Sequence, residues 1–448
     1  MKKKEIDLVN GSLWKNILFY SIPLMFSNVL QVIFNMADVA VVGKFAGSIA
    51  LGGVGSTSIL LTLFIGLLMG LSNGVNALTA LYTGSEKAEH VEQTVHTSFI
   101  LCVIAGVFIC GLGILFSQPI LTILHTKDVL MHDALLYLRV YLLGMPALAI
   151  FNFGNAVLSA IGDTKRPLIY LSSAGVINVI LNLFFVIVCH MGVLGVALAS
   201  IIAQYISAAC ILIYLVHSKE AYALSFKKLH IYPDKAKAVL RIGIPAAVQY
   251  AIFAVANLFV QTSVNSFDHT VVEGNSAAAN ADPFVYDMMA AFYTACASFI
   301  AQNYGARKKD RIMKSYVISL TYSFFLGLIL GVVLYIFHTP FLYLFTNDAE
   351  VVEAGTRRLL IMALSYSVSA FMDCSTAAAR GLGKTIFPTI TVILGSCVFR
   401  IVWIYTVFAH FRTIESLYLL YIFSWGITAV FEISYFLWLY KELEKNPL

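Results

Sequence analysis

Apolar runs recur along the whole chain and are separated by short polar gaps. Many reach about 20 residues, the length an α-helix needs to cross hydrocarbon. They predict spans near 14–42, 50–82, 92–115, 130–161, 167–189 and 193–217. A second set follows near 238–264, 276–303, 313–337, 351–380, 386–408 and 414–440. Between the sets lies SKEAYALSFKKLHIYPDKAK, the longest polar stretch. The pattern predicts an all-α integral membrane protein of about twelve transmembrane helices. It divides into a first lobe at 1–217, a cytoplasmic linker at 218–237 and a second lobe at 238–448.

The two sets repeat each other. Six of the ten prolines form three pairs half a chain apart: Pro23 with Pro245, Pro119 with Pro340, and Pro167 with Pro388. In the same register Gly84 meets Gly305, Gly106 meets Gly327, and Gly162-Asp163-Thr164 meets Gly383-Lys384-Thr385. Six spans is an even number, so both halves enter the membrane in the same direction. They are therefore parallel repeats about an axis along the membrane normal, a layout found in transporters. The place between two such lobes is the expected substrate path, opened to either side by rocking.

Composition agrees with lipid as the solvent. Hydrophobic residues make up 60% of the 448 and charged residues only 12%, against about 25% charged in soluble domains. The net charge of +5 does not form a nucleic-acid surface, because the bases lie in the gaps between apolar runs. With the amino terminus inside, Lys2, Lys3, Lys4, Lys87, Lys165, Arg166 and the basic run from Arg307 to Lys314 fall on the cytoplasmic side, with most other bases. Only Lys44, Lys127, Arg357, Arg358 and Arg412 fall outside. The positive-inside rule then places both termini in the cytoplasm. The start, MKKKEIDLVNGSLWK, reads as a retained tail. Seven scattered cysteines without a CxxC pair read as small apolar filler, not as disulfides or a zinc site.

An ionisable group inside hydrocarbon is a functional candidate by default. Asp38 is the clearest, about two turns from the outer end of the first span with no base nearby on its helix. Burial favours the neutral form of a carboxylic acid, so such a group can load and release a proton as water access changes. The structural alternative is a carboxylate paired with Arg139 or held by helix-end amides. Asn35, Asn152, Asn178 and Asn182 are its candidate partners; the last two share one face of the fifth span. One carboxylate with amide oxygens can also coordinate sodium, at Asp38, Asn178 and Asn182; interhelical polar glue is the plainer role. The second lobe carries Asp282, Asp287, Asp373, Arg400 and Glu432. Helix rise puts Arg400 about 21 Å and Asp287 about 25 Å from their inner ends. Because buried charges pair, Arg400 is expected to hold one of these aspartates, leaving another acid to face a substrate cavity. Glu432 is expected to snorkel or to meet a linker base. Gly66, Gly70 and Gly74, with Gly327 and Gly331, mark close-packed helix faces.

Enzyme signatures fail. Gly383-Lys384-Thr385 would need a glycine at Ala378 and a preceding strand to be a phosphate loop. A membrane-embedded transferase would need a polar catalytic loop with His or paired carboxylates, and His125, His190, His269, His338 and His410 are spread over five separate loops near outer span ends.

The sequence resembles the multidrug and toxic compound extrusion (MATE) family over nearly its whole length. The resemblance rests on Pro23…Asp38…Gly43, LSAIGDTKRP at 158–167, GVALASIIAQ at 195–204 and SFIAQNYGARKKDR at 298–311. It implies two six-helix lobes in a V and alternating access. It also implies export of organic cations or drugs across the bacterial cytoplasmic membrane, driven by inward H+ or Na+. Asp38 matches the acid such proteins carry in the first helix; Asn182 and Phe253 stand where other members have acids. Asp373 falls about a turn from another. Protons through Asp38 are therefore the expected coupling, in a monomer without a cofactor. A flippase for a lipid-linked sugar is the alternative cargo reading. It would need a more cationic cavity than these acids provide.

Overall fold

The computed structural model describes residues 5–445. Lys2, Lys3 and Lys4, expected in the basic tail, lie outside the described residues. Helix accounts for most of the chain. α1 (Leu13–Ala46), α2 (Ser48–Gly84) and α3 (Ala88–Ile123) are followed by α4 (Asp128–Leu142) and α5 (Met145–Ala160). Then come α6 (Lys165–Val188), α7 (Gly192–His217), α8 (Pro233–Val264) and α9 (His269–Gly305). α10 (Lys309–Ile336), α11 (Ala349–Gly381), α12 (Ile386–Phe411) and α13 (Ile414–Lys445) complete the set.

Among the described residues eleven of these are long and apolar enough to cross a membrane, and α4 with α5, bent by 46°, is long and apolar enough only as a pair, which brings the candidate spans to twelve when the pair counts as one. The span predicted at 130–161 corresponds to this bent pair. Pro146, in the first turn of α5, explains the bend: its ring cannot continue α4, but its fixed φ suits a helix start. Outward apolar side chains such as Phe108, Leu115 and Val430 are more than 60% exposed, as a lipid-facing surface requires.

The repeat is visible in the backbone. Left-handed residues recur at Glu86 and Arg307, with φ of 56° and 57°. They recur again at Gly162 and Gly383, with φ of 94° and 72°. In the second pair glycine accepts a conformation that a Cβ would strain, which accounts for the repeated Gly-x-Thr. Wide π-helical turns at Phe184–Val188 and Ile404–Phe408 end corresponding spans.

Contacts divide the chain into two compact units, and the divisions fall inside helices. One unit takes in Phe26–Ala247 together with the residues up to Ile6, and the other Asp7–Met25 with Val248–Leu448. Each division comes two residues after a paired proline, Pro23 in α1 and Pro245 in α8. Proline deletes a helical hydrogen bond and crowds the preceding turn, so each half-helix can follow different neighbours. In the first unit the early half of α8 is keyed into α2: a Cβ on Gly70 would overlap the Ala247 backbone, and one on Gly74 the Val239 carbonyl. In the second unit Tyr20 donates to Ser298 Oγ at 2.9 Å, and Asn303 Nδ2 donates to the Leu8 carbonyl at 3.0 Å.

Residues 218–237, read from the sequence as a linker, are strapped to the first unit. Ser225 N–H donates to His96 Nε2 at 3.0 Å, while His96 Nδ1 lies 2.7 Å from the Glu92 carbonyl. A carbonyl accepts and an amide donates, so His96 must be neutral with its proton on Nδ1. Tyr232 N–H donates to Thr97 Oγ1 at 3.1 Å, and Lys235 Nζ reaches Tyr82 Oη at 3.1 Å and His90 Nδ1 at 2.7 Å.

Gly331, one of the expected close-packing glycines, leaves no room for a Cβ against the Ala363 carbonyl of α11. Gly331→Ala will therefore lower the thermal midpoint by several degrees. Overpacking of this kind costs about 1–3 kcal/mol. An unshifted melting curve in detergent would refute the close approach.

Candidate functional site

Asp38 lies two turns before the end of α1, beside the face of α6 that carries Asn178 and Asn182. Asn182 Nδ2 donates to Asp38 Oδ1, and Ser200 Oγ, from α7, donates to Asp38 Oδ2 at 3.0 Å. Asn178 Nδ2 donates to Ser200 Oγ at 3.4 Å, and Asn182 Nδ2 also approaches Asn178 Oδ1 at 3.3 Å. The four side chains close a ring. Both carboxylate oxygens act as acceptors, the pattern of an ionised acid. Asn182 Oδ1 is buried and accepts nothing. The ring holds one acid and three neutral donors. Arg139, the alternative partner from the sequence, donates instead from Nε to Ser117 Oγ at 3.0 Å.

The ring edges a cavity of about 240 Å³ within the first unit. Asn35 and Asn152 line it, with Asn28, Gln31, Asn155 and Gln204. Asn35 and Asn152 therefore share the Asp38 cavity without bonding to the carboxylate, and Asn152 Nδ2 is buried without a partner. Gln204 Oε1 is likewise unpartnered; a Cβ on Gly144 would overlap it. Ser200 and Gln204 were not singled out as site residues. They stand one turn apart in GVALASIIAQ, a polar pair in an apolar span, and the spacing argument that found Asn178 and Asn182 reaches them too.

The second unit corrects the sequence reading. Arg400 is buried, but it pairs with no carboxylate among the described residues. Its Nη1 donates to Asn257 Oδ1 at 3.1 Å and its Nε to Ser424 Oγ at 3.4 Å. The guanidinium lies over Tyr421, Phe253 and Trp425, with centroids at 4.7, 5.5 and 5.9 Å. A neutral amide and three π-faces stabilise the charge in place of an acid. One of the three candidate aspartates, Asp282, is held by Arg358. Arg358 Nη2 donates to Asp282 Oδ2 at 2.5 Å, and Nη1 to Asn275 Oδ1 at 3.1 Å. Tyr366 Oη completes Asp282, and Tyr418 Oη completes Asn275.

Asp373 lies within electrostatic reach of Arg380 and then Arg400. Glu432 does not snorkel: it is fully buried, beside Asp373, Thr376 and Arg380. Its helix turns this face toward α11. Asp287 lies on α9, five residues beyond Asp282. Among the described residues no group of three or more His, Cys, Asp or Glu side chains is placed to hold a metal ion.

Comparisons with known proteins bear on the family and the fold. The family model described as MatE matches twice, over residues 23–184 and 245–406. Both matches begin on the paired prolines. The probable multidrug resistance protein YoeA of Bacillus subtilis (strain 168) is 25% identical over 391 residues, covering 85% of this chain and 84% of YoeA. YpnP of the same organism, also described as a probable multidrug resistance protein, is 26% identical over 81% of each chain. A structure described as the outward-facing conformation of a multidrug resistance MATE family transporter superimposes with a TM-score of 0.92. It covers 99% of this chain and 100% of its own at 22% identity, a likeness of fold.

Proposed function

The chain belongs to the MatE family, and from that premise we propose that it is a secondary active exporter of amphipathic, mainly cationic compounds, driven by inward proton flow through Asp38. The observation that carries the reading is the closed ring around Asp38 with its one unused acceptor, Asn182 Oδ1. As a carboxylate, Asp38 accepts from Asn182 and Ser200. Once protonated, one of its oxygens becomes a donor and a weaker acceptor, which disfavours the Asn182 amide donor on that side. Rotation of the Asn182 amide then presents Oδ1 to the new O–H. The orphaned acceptor gains a partner while Nδ2 gives up Asp38 and Asn178, so the two protonation states differ in their hydrogen bonds. Amide rotation shifts hydrogen bonds among α1, α6 and α7, which gives proton binding a local structural output.

Sodium is the competing ion. It would need Asp38, Asn178, Asn182 and Ser200 to turn oxygens inward, whereas Asn182 and Ser200 aim donors at the carboxylate. That polarity favours a proton. The cavity is also below the roughly 300–1,000 Å³ of drug-sized pockets. It suits water and a small cation better than a drug, so the compound exported is assigned elsewhere.

The basic loops favour termini in the cytoplasm and export from that side. Dye efflux from vesicles under separately imposed gradients tests the coupling. A proton gradient alone should drive efflux, and a sodium gradient at uniform pH should not. Efflux driven by sodium alone would overturn the proton assignment.

A further inference from the structure

A second cavity, of about 550 Å³, opens in the second unit between the first turn of α1 and the first turns of α10. Its apolar wall is Leu13, Trp14, Met313, Val317 and Ile318, and its polar wall is Arg311 and Lys314. Both charged residues are cations and no carboxylate lines it. We propose that this cavity binds one anionic phospholipid, with the phosphodiester against Lys314 and an acyl chain along Val317 and Trp14. The inference needs only the membrane placement of α1 and α10 and is independent of the coupling ion.

The two cations differ in what they can still do. Arg311 is spent on the chain: its Nε donates to Asn303 Oδ1 at 3.0 Å and its Nη1 to the Gly11 carbonyl at 3.0 Å. Its Nη2 reaches the Leu8 and Asn10 carbonyls at 3.5 and 3.4 Å. These partners are neutral, but the Asp7 carboxylate lies within electrostatic reach and offsets part of its charge, so Lys314 is the cation that carries the site. Lys314 is exposed and makes no hydrogen bond or ion pair among the described residues, so its three donors are open to a ligand. Trp14 is 50% exposed, yet its ring is fixed edge-on to Tyr322 at 5.3 Å, and Tyr322 Oη donates to the Trp14 carbonyl at 3.2 Å. Its indole N–H makes no hydrogen bond among the described residues. A rigid aromatic with a free donor at a span end is suited to the headgroup level of a bilayer.

Polarity along the wall decides the class of ligand. Lys314 stands one turn before Val317, which is 47% exposed, so charge at the membrane edge gives way to aliphatic surface about 5 Å deeper. An anionic headgroup on an acyl chain has the same sequence of polarity. Inorganic phosphate would use the cations and leave the apolar wall uncovered. Basic pockets at helix ends on the basic side of a membrane protein hold acidic headgroups by this electrostatic logic.

The test uses the full chain in phosphatidylcholine vesicles that contain brominated phosphatidylglycerol or, at the same mole fraction, brominated phosphatidylcholine. Quenching at the site is the difference between the native chain and Trp14→Phe. Brominated phosphatidylglycerol should quench more strongly by about fivefold, the factor one basic side chain contributes at an anionic surface. Lys314→Gln should remove the preference, Lys314→Arg should keep it, and Lys15→Gln, a neighbour outside the lining, should leave it unchanged. Native mass spectrometry gives a readout independent of Trp14: retained phosphatidylglycerol should fall in Lys314→Gln. Equal quenching by the two lipids, or equal loss in Lys15→Gln and Lys314→Gln, would overturn the site. Displacement of the quenching by inorganic phosphate would reassign it to a free anion and overturn the lipid.

Discussion

Asp38→Asn will reduce proton-driven dye efflux to the level of vesicles without protein, while the protein remains folded and inserted. The substitution keeps shape and volume and removes one ability, the change between charged and neutral forms. The ring tolerates the change because Asn182 Oδ1 is free to accept from a new amide donor. Ser200 and Asn178 keep their mutual hydrogen bond at 3.4 Å. The stability cost is therefore at most about 1–2 kcal/mol, the order of one rearranged hydrogen bond. Thermal melting in detergent and vesicle efflux separate the two effects. Undiminished efflux in Asp38→Asn would remove Asp38 from the coupling step.

Arg358→Met produces the opposite pattern, a loss of folding before any loss of coupling. Arg358 is 5% exposed and bridges Asp282 and Asn275. Removing one partner of a largely buried ion pair costs up to about 3–5 kcal/mol, because Asp282, with its side chain 24% exposed, keeps only Tyr366 against its charge. The thermal midpoint should fall by about 10 °C, on the slope of a few degrees per kcal/mol. Arg358→Lys should recover little, since one ammonium cannot hold Asp282 and Asn275 in the geometry of the guanidinium fork. Arg358→Met combined with Asp282→Asn should recover more than half of the loss, because no lone charge remains. A single variant that melts with the native protein would show the pair to be energetically idle.

These two residues mark what the amino-acid order discloses. Asp38 is legible because a lone acid in an apolar run is conspicuous whichever way the helix faces, and Asn178 and Asn182 follow from four-residue spacing. The repeat is legible because prolines and turn glycines carry backbone requirements independent of neighbours. Arg358 is not legible. It adjoins Arg357 near a span end, and both read as outer-side charges, yet Arg357 is 53% exposed at its side chain and Arg358 6%. Adjacent helical residues point about 100° apart, and only packing decides which turns inward. Arg400 failed in another way. The rule that a buried base takes an acid omits aromatic faces, and Phe253, Tyr421 and Trp425 come from two different helices. The anchoring of 218–237 is not legible because its anchors, His96 and Thr97, lie more than a hundred residues earlier.

The exchanged half-helices impose an order on biosynthesis. Residues 7–25 leave the ribosome before almost everything else, yet Tyr20 meets Ser298 across 278 residues of chain and Leu8 meets Asn303 across 295. Conversely, the wall that Gly70 and Gly74 await arrives only as the second repeat begins to be translated. Neither repeat can mature on its own schedule: the first is completed by nascent chain from the second, and the earliest segment made is among the last to find its permanent neighbours.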